Sequence, residues 1–215
     1  MDYRLLPVVS LLCNLAVVIG GSIRFARAGI TPWRGALVLT AIAAPAALLG
    51  GLTPIGERAF LMLLGASLCG AGALLLLPKK EPAEGPKGGG RGGGRAIYLA
   101  AAPLGYLAGL VGIGGGIFLA PLLHLVRWNG PRGIAATASL FILVNSLFGL
   151  VGQLAKNGFG MLGAAAETGL PLMIAVVIGG QIGSLFAVRL FKPQVIAWLT
   201  AALTIVVGVR LLVGV

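Results

Sequence analysis

Residues 96–126 read AIYLAAAPLGYLAGLVGIGGGIFLAPLLHLV, 31 positions without one charged side chain and with Gly112-Ile113-Gly114-Gly115-Gly116 at the centre. A run this long and this apolar belongs in a bilayer, whose hydrocarbon core of about 30 Å is crossed by about 20 helical residues. A glycine cluster is a poor centre for a plain spanning helix, because each glycine costs about 1 kcal/mol of helix propensity relative to alanine. Opened backbone in hydrocarbon must be satisfied by other protein or by water lining a cavity. The stretch therefore reads as a broken helix facing a polar interior, and the break is where function is to be sought.

The remainder of the chain agrees with a membrane setting. Of 215 residues, 58% are hydrophobic and only 10% are charged, against about 25% charged in a soluble domain. Six further uncharged runs occupy 5–23, 35–56, 59–78, 133–155, 168–188 and 193–209. The predicted fold is an all-α polytopic membrane helix bundle of about seven spans, one per run. Pro45, Pro103 and Pro121 fall inside runs and suggest kinks. The organisation expected is an N-terminal membrane half at 1–78, a Gly/Lys/Arg-rich linker at 79–95 and a C-terminal membrane half at 96–215.

The net charge of +11 would suggest nucleic acid on a soluble domain. Here the basic residues lie between apolar runs, so the expected partner is the anionic inner surface of a bilayer, and no nucleic-acid role is expected. If every run crosses once, the segments 24–34, 78–95 and 156–167 share a side with Arg210 and carry ten Lys/Arg, against six on the other side. That bias predicts a cytoplasmic linker and C-terminus. A re-entrant hairpin at 96–126 would invert everything after it.

The two membrane halves show weak internal similarity. At an offset of 129, Ser10, Leu11, Gly20, Ala26 and Gly29 match Ser139, Leu140, Gly149, Ala155 and Gly158. Duplicated halves with a site at their interface are a transporter pattern. In this register the first half lacks a counterpart of 96–129.

Two segments carry the candidate chemistry. Gly105, Gly109 and Gly112 recur every three or four residues and define a face for close helix packing. Gly114, Gly115 and Gly116 let the chain leave helical geometry, and a helix restarting near Ile117 would present free N–H groups to an anion. The other reading of these glycines is a packing notch without a ligand. The second segment, Ala135-Ala136-Thr137-Ala138-Ser139, leads to Asn145, Ser146 and Gln153. Asn145, Gly149 and Gln153 share one helical face. Their uncharged donors suit an anion that must be bound and released, or else serve interhelical hydrogen bonds worth about 0.6 kcal/mol each.

Mid-membrane carboxylates, usual in cation pumps and proton relays, are missing from the runs, which favours an anionic or neutral substrate. No catalytic triad, paired carboxylates or metal cluster is visible, so neither an enzyme nor a cofactor is expected. Cys13 and Cys69 read as small buried hydrophobes. The lone His124 suggests no haem, and Glu167 reads as a cap at the start of the sixth run.

The stretch from Gly109 through Gly112-Ile113-Gly114-Gly115-Gly116 to Pro121, followed by Ala135-Ala136-Thr137-Ala138-Ser139, resembles the sulfite exporter TauE/SafE family of membrane permeases. The resemblance covers 96–212 well and 5–77 as a shortened half. It implies two related halves, each opened by a glycine-rich segment, and export or exchange of sulfite, sulfonates or related small anions across the cytoplasmic membrane of a prokaryote. The substrate site expected from the two segments is formed by backbone donors at Gly112, Gly114, Gly115 and Gly116 and side-chain donors of Thr137, Ser139, Asn145 and Gln153, in a monomer or a homo-oligomer. Two departures from the family pattern stand out: Ala138 is inserted between Thr137 and Ser139, and the first glycine-rich helix has no counterpart ahead of Pro7. A start site assigned too far downstream is the expected cause, a reduced seven-span variant the alternative.

Overall fold

The structure, a computed structural model, describes residues 3–76, 94–126, 128–158, 160–190 and 193–214. The expected linker at 79–95 lies outside the described residues except for its last two positions. The described residues form eight helices: α1 (Leu5–Arg27), α2 (Trp33–Leu52), α3 (Glu57–Leu76), α4 (Gly94–Val111), α5 (Gly116–Leu125), α6 (Pro131–Asn157), α7 (Met161–Leu190) and α8 (Pro193–Val213). The all-α membrane bundle expected from composition is the architecture observed. Five helices are both long and apolar enough to span. Pro7 lies in the first turn of α1 and Pro131 opens α6, positions where a missing N–H costs nothing. Glu167 lies within α7, past its first turn, so it does not cap that helix as the run boundary suggested.

Contacts divide the chain into two compact units, Met1–Thr53 with Lys79–Ile174, and Pro54–Pro78 with Ala175–Val215. Each of the halves expected along the sequence contributes helices to both. In the second unit, α3 and α8 pack antiparallel through small residues. A Cβ on Gly65 would meet the Gly208 carbonyl oxygen at 2.8 Å, and one on Gly208 would meet Cys69 Sγ at 2.7 Å.

In the first unit glycine again sets the spacing, because only its absent side chain lets helix backbones touch. A Cβ on Gly105 would strike the backbone of Ala43, and one on Gly109 the backbone of Ala47. These pairs rise together along both helices, so α4 lies parallel to α2. Gly51 meets the Gly149 carbonyl and Gly152 meets Leu48, while Trp128, just before α6, covers Gly35 near the start of α2. Helix α6 is therefore also parallel to α2. Ser22 pairs with Ser139, while Leu11 approaches Gly149, so α1 runs antiparallel to α6. These two helices correspond under the 129-residue offset.

The direction of α5 follows from its neighbours. Gly116 lies against Ile142 of α6, whereas Leu123 joins a core cluster with Ile97 at the start of α4, Leu39 at the start of α2 and Ile134 at the start of α6. The chain enters along α4, turns at Gly112–Gly115 and returns along α5 to the end it came from. Residues 96–126 thus form a re-entrant hairpin rather than one crossing. The single-crossing side assignment is corrected accordingly. Lys156 at the end of α6 donates to the Thr53 carbonyl at the end of α2 (3.2 Å), opposite the loop at 28–32 with which it was grouped.

Candidate functional site

The hairpin tip is a backbone turn that its sequence alone permits. Gly112, Gly114 and Gly115 have φ of 81°, 78° and 74°, a region side chains of L-residues rarely enter. Gly112 thereby departs from the packing face it was expected to share with Gly105 and Gly109, and lies against Pro7 of α1. Its N–H closes the last turn of α4 on Ala108 O (2.9 Å). Its carbonyl accepts from Ser10 Oγ at 2.8 Å and from Asn14 Nδ2 at 3.4 Å. Two side chains of α1 thus stitch the turn in place.

On the far side of the turn, α5 begins at Gly116. The N–H groups of Phe118 and Leu119 are both taken by Gly115 O (3.2 Å each). Those of Gly114, Gly115, Gly116 and Ile117 make no main-chain hydrogen bond, as the first turn of any helix leaves them. The positive end of the α5 dipole points the same way. A Cβ at Gly114 would lie 3.0 Å from both Asn14 Nδ2 and Ser146 Oγ and 2.9 Å from Ile142 Cγ2. The break, α1 and α6 therefore meet at Gly114.

Beside the turn, α6 carries polar groups that nothing in the protein satisfies. Among the described residues four buried side-chain polar atoms lack a partner: Trp128 Nε1, both amide atoms of Asn145, and Ser146 Oγ. Three of the four belong to one dipeptide whose side chains are fully buried. A buried polar atom left unpaired costs about 1–3 kcal/mol, so two adjacent residues of this kind call for an explanation.

The other residues singled out from the sequence hold the frame. Gln153, on the same face of α6 as Asn145 and Gly149, donates from Nε2 to Gly109 O (3.0 Å) and Leu110 O (3.3 Å), and its Oε1 accepts from Asn157 Nδ2 (3.3 Å). It occupies carbonyls that the end of α4 leaves unpaired. Thr137 donates back to Gly133 O within α6 (2.9 Å), and Ser139 pairs with Ser22 of α1 (3.0 Å). The structure brings Gly112, Gly114, Gly115 and Gly116 together with Ser10, Asn14 and Ser146. Ser139 and Thr137 lie about two and two and a half turns before Ser146 along α6. A stability series separates these roles: Gln153→Leu is expected to cost about 1–3 kcal/mol by orphaning buried carbonyls. Ser139→Ala, which removes one interhelical pair, should cost about 0.6 kcal/mol. Thermal unfolding in detergent reads the difference.

The structure thus shows a broken helix held by side chains of α1, with Ser146 of α6 at its tip. The family model of the sulfite exporter TauE/SafE matches residues 2–211. The chain belongs to the TauE/SafE family. It is also similar to the probable membrane transporter protein y4hK of Sinorhizobium fredii, with 28% identity over 216 residues covering 94% of this chain and 81% of that protein. No solved structure matches it. Within this TauE/SafE chain, Ser10 and Asn14 belong to the candidate site, a role that sequence reasoning did not single out. Their type is ordinary for an apolar helix, and only their contact with the Gly112 carbonyl sets them apart.

Proposed function

We propose that this protein is a permease of the cytoplasmic membrane that moves small anions, of the class of sulfite, sulfonates and related sulfur-containing organic anions, by alternating access around the hairpin tip. The observation that carries the reading is the coincidence of unpaired donors. Ser146 Oγ, buried without a partner, lies at the Gly114 turn that leads into a helix start with free N–H groups and a positive dipole, and the amide of Asn145, its neighbour in α6, is likewise buried and unpaired. No acidic side chain lies in the cluster to repel an anion. Neutral donors bind an oxyanion without holding it irreversibly, which a carrier requires. Membership in the TauE/SafE family and similarity to a probable membrane transporter support the same reading. The two related halves, 1–78 and 96–215, would supply the moving parts.

The competing reading is an accessory subunit that uses its glycine face to bind a partner. Gly105 and Gly109 are already closed against Ala43 and Ala47 of the same chain, which leaves that face no free surface to offer.

Purified protein in liposomes loaded with radiolabelled sulfite tests the proposal. Efflux above that of protein-free liposomes is expected for the wild type. It should be lost in Gly115→Leu, whose side chain would meet Phe141 and demand a strained φ. Wild-type efflux equal to the blank across sulfite, a sulfonate and a small carboxylate would sink it.

A further inference from the structure

The hairpin changes which basic residues share a face of the membrane. Because α4 and α5 begin and end at one end of the first unit, the residues on either side of the hairpin belong together. Helix directions then place Arg24, Arg27 and Arg34 around the α1–α2 loop at that same end, with Arg132 in the first turn of α6, and the sequence between α5 and α6 adds Arg127. The sequence leading into α4 adds Lys79, Lys80, Lys87, Arg91 and Arg95. Among the described residues the opposite end of the unit carries Arg4 and Lys156. Ten basic residues against two is a steep asymmetry, and the excess of Lys/Arg in short loops marks the cytoplasmic side.

We propose that the hairpin is inserted from the cytoplasmic face, with its basic base resting on anionic lipid headgroups and its tip in the outer half of the bilayer. Anionic headgroups attract such clusters of Lys and Arg at the inner leaflet. Helix rise brackets the depth, from the outer half at Gly112 to the midplane at Asn14. At 1.5 Å per residue the tip at Gly112 is ~24 Å from Ala96, and Asn145 is ~21 Å from Pro131, both measured from the basic end. Measured from the other end, Ser10 and Asn14 lie ~8 and ~14 Å below Leu5. In a core of ~30 Å the polar cluster is therefore displaced toward the outside. For a substrate starting in the cytoplasm, the inner leg of the path is the longer one.

Single cysteines test this on the full chain. Ala28 is exposed, and Gly56, Gly130 and Gly160 have open space where a Cβ would go, so Ala28→Cys, Gly56→Cys, Gly130→Cys and Gly160→Cys should fold. The native Cys13 and Cys69 lie inside apolar helices, and the unsubstituted chain serves as the blank. A membrane-impermeant maleimide applied to intact cells should label Gly56→Cys and Gly160→Cys. Ala28→Cys and Gly130→Cys should show no labelling until the membrane is permeabilised. Labelling of Gly130→Cys with Ala28→Cys protected would overturn the hairpin. The fully reversed pattern, or all four labelled alike in intact cells, would overturn the orientation.

Discussion

Gly109→Leu is expected to destroy the assembled first unit, with a loss of at least ~3 kcal/mol and failure to give a monodisperse protein in detergent. The reason is where the new atoms would go. A Cβ on Gly109 would fall on the backbone of Ala47, and the same residue's Cα lies 3.0 Å from the Cβ position of Gly149. Gly109 is thus where α4 touches both α2 and α6. Its carbonyl also accepts from Gln153, so separating the helices breaks a buried hydrogen bond and loses the packing on which membrane helix association depends. A flexible side chain can rotate away from an intruder, but backbone can yield only by moving a whole helix. Gly20→Ala is the matched control. Gly20 corresponds to Gly149 in the internal repeat, yet nothing lies within 4 Å of its Cβ position. That substitution should be neutral or stabilise the chain by up to ~1 kcal/mol through helix propensity. Fluorescence-detected size-exclusion profiles and thermal midpoints of the two variants read the contrast. Equal midpoints would show that α4 is not clamped at this position.

The helical character of the chain and the position of its break were legible because both are local properties. Run length follows from bilayer thickness, and four glycines in five positions at 112–116 mark where a helix cannot continue. The direction of the chain after the break is not local. A 31-residue uncharged run fits either one long crossing or two short helices, and the choice depends on which faces pack. One sequence signal did point to the hairpin. Arg91 and Arg95 precede the run and Arg127 and Arg132 follow it, so one crossing would put basic clusters on both sides, against the usual asymmetry. Side-chain roles were legible only in part. Thr137 and Ser139 sit in a conspicuous small-residue motif, yet their hydroxyls are spent within α6 and on Ser22. Ser10 and Asn14 lie in an unremarkable apolar run and bond the tip itself. A helix in a membrane carries hydroxyls and amides for packing, back-bonding or ligand contact, and composition does not distinguish these uses.

Asn145→Leu should separate stability from transport in a way that a structural asparagine would not. In an ordinary buried network, removing an amide breaks hydrogen bonds and lowers stability. Here both amide atoms of Asn145 and the neighbouring Ser146 hydroxyl are without partners. The folded protein therefore bears their desolvation cost without a compensating bond. Leucine has the same branching at Cγ and the same number of side-chain heavy atoms, so the substitution removes that cost without opening a cavity. The thermal midpoint in substrate-free detergent should stay level or rise, by an amount equivalent to as much as ~1–3 kcal/mol. Sulfite flux should fall at least tenfold, because one charge-assisted hydrogen bond to a bound anion is worth about 1.5–3 kcal/mol and each 1.4 kcal/mol is a factor of ten. Ser146→Ala should move both readouts in the same directions by less. Ser22→Ala, which touches only the hydrogen bond to Ser139, should lower the midpoint slightly and leave flux alone. A fall in stability with flux intact for Asn145→Leu would mean that the amide serves the fold and not the substrate. Opposite signs in the two measurements are the signature of a polar group kept buried and unpaired in the resting protein because a ligand completes it.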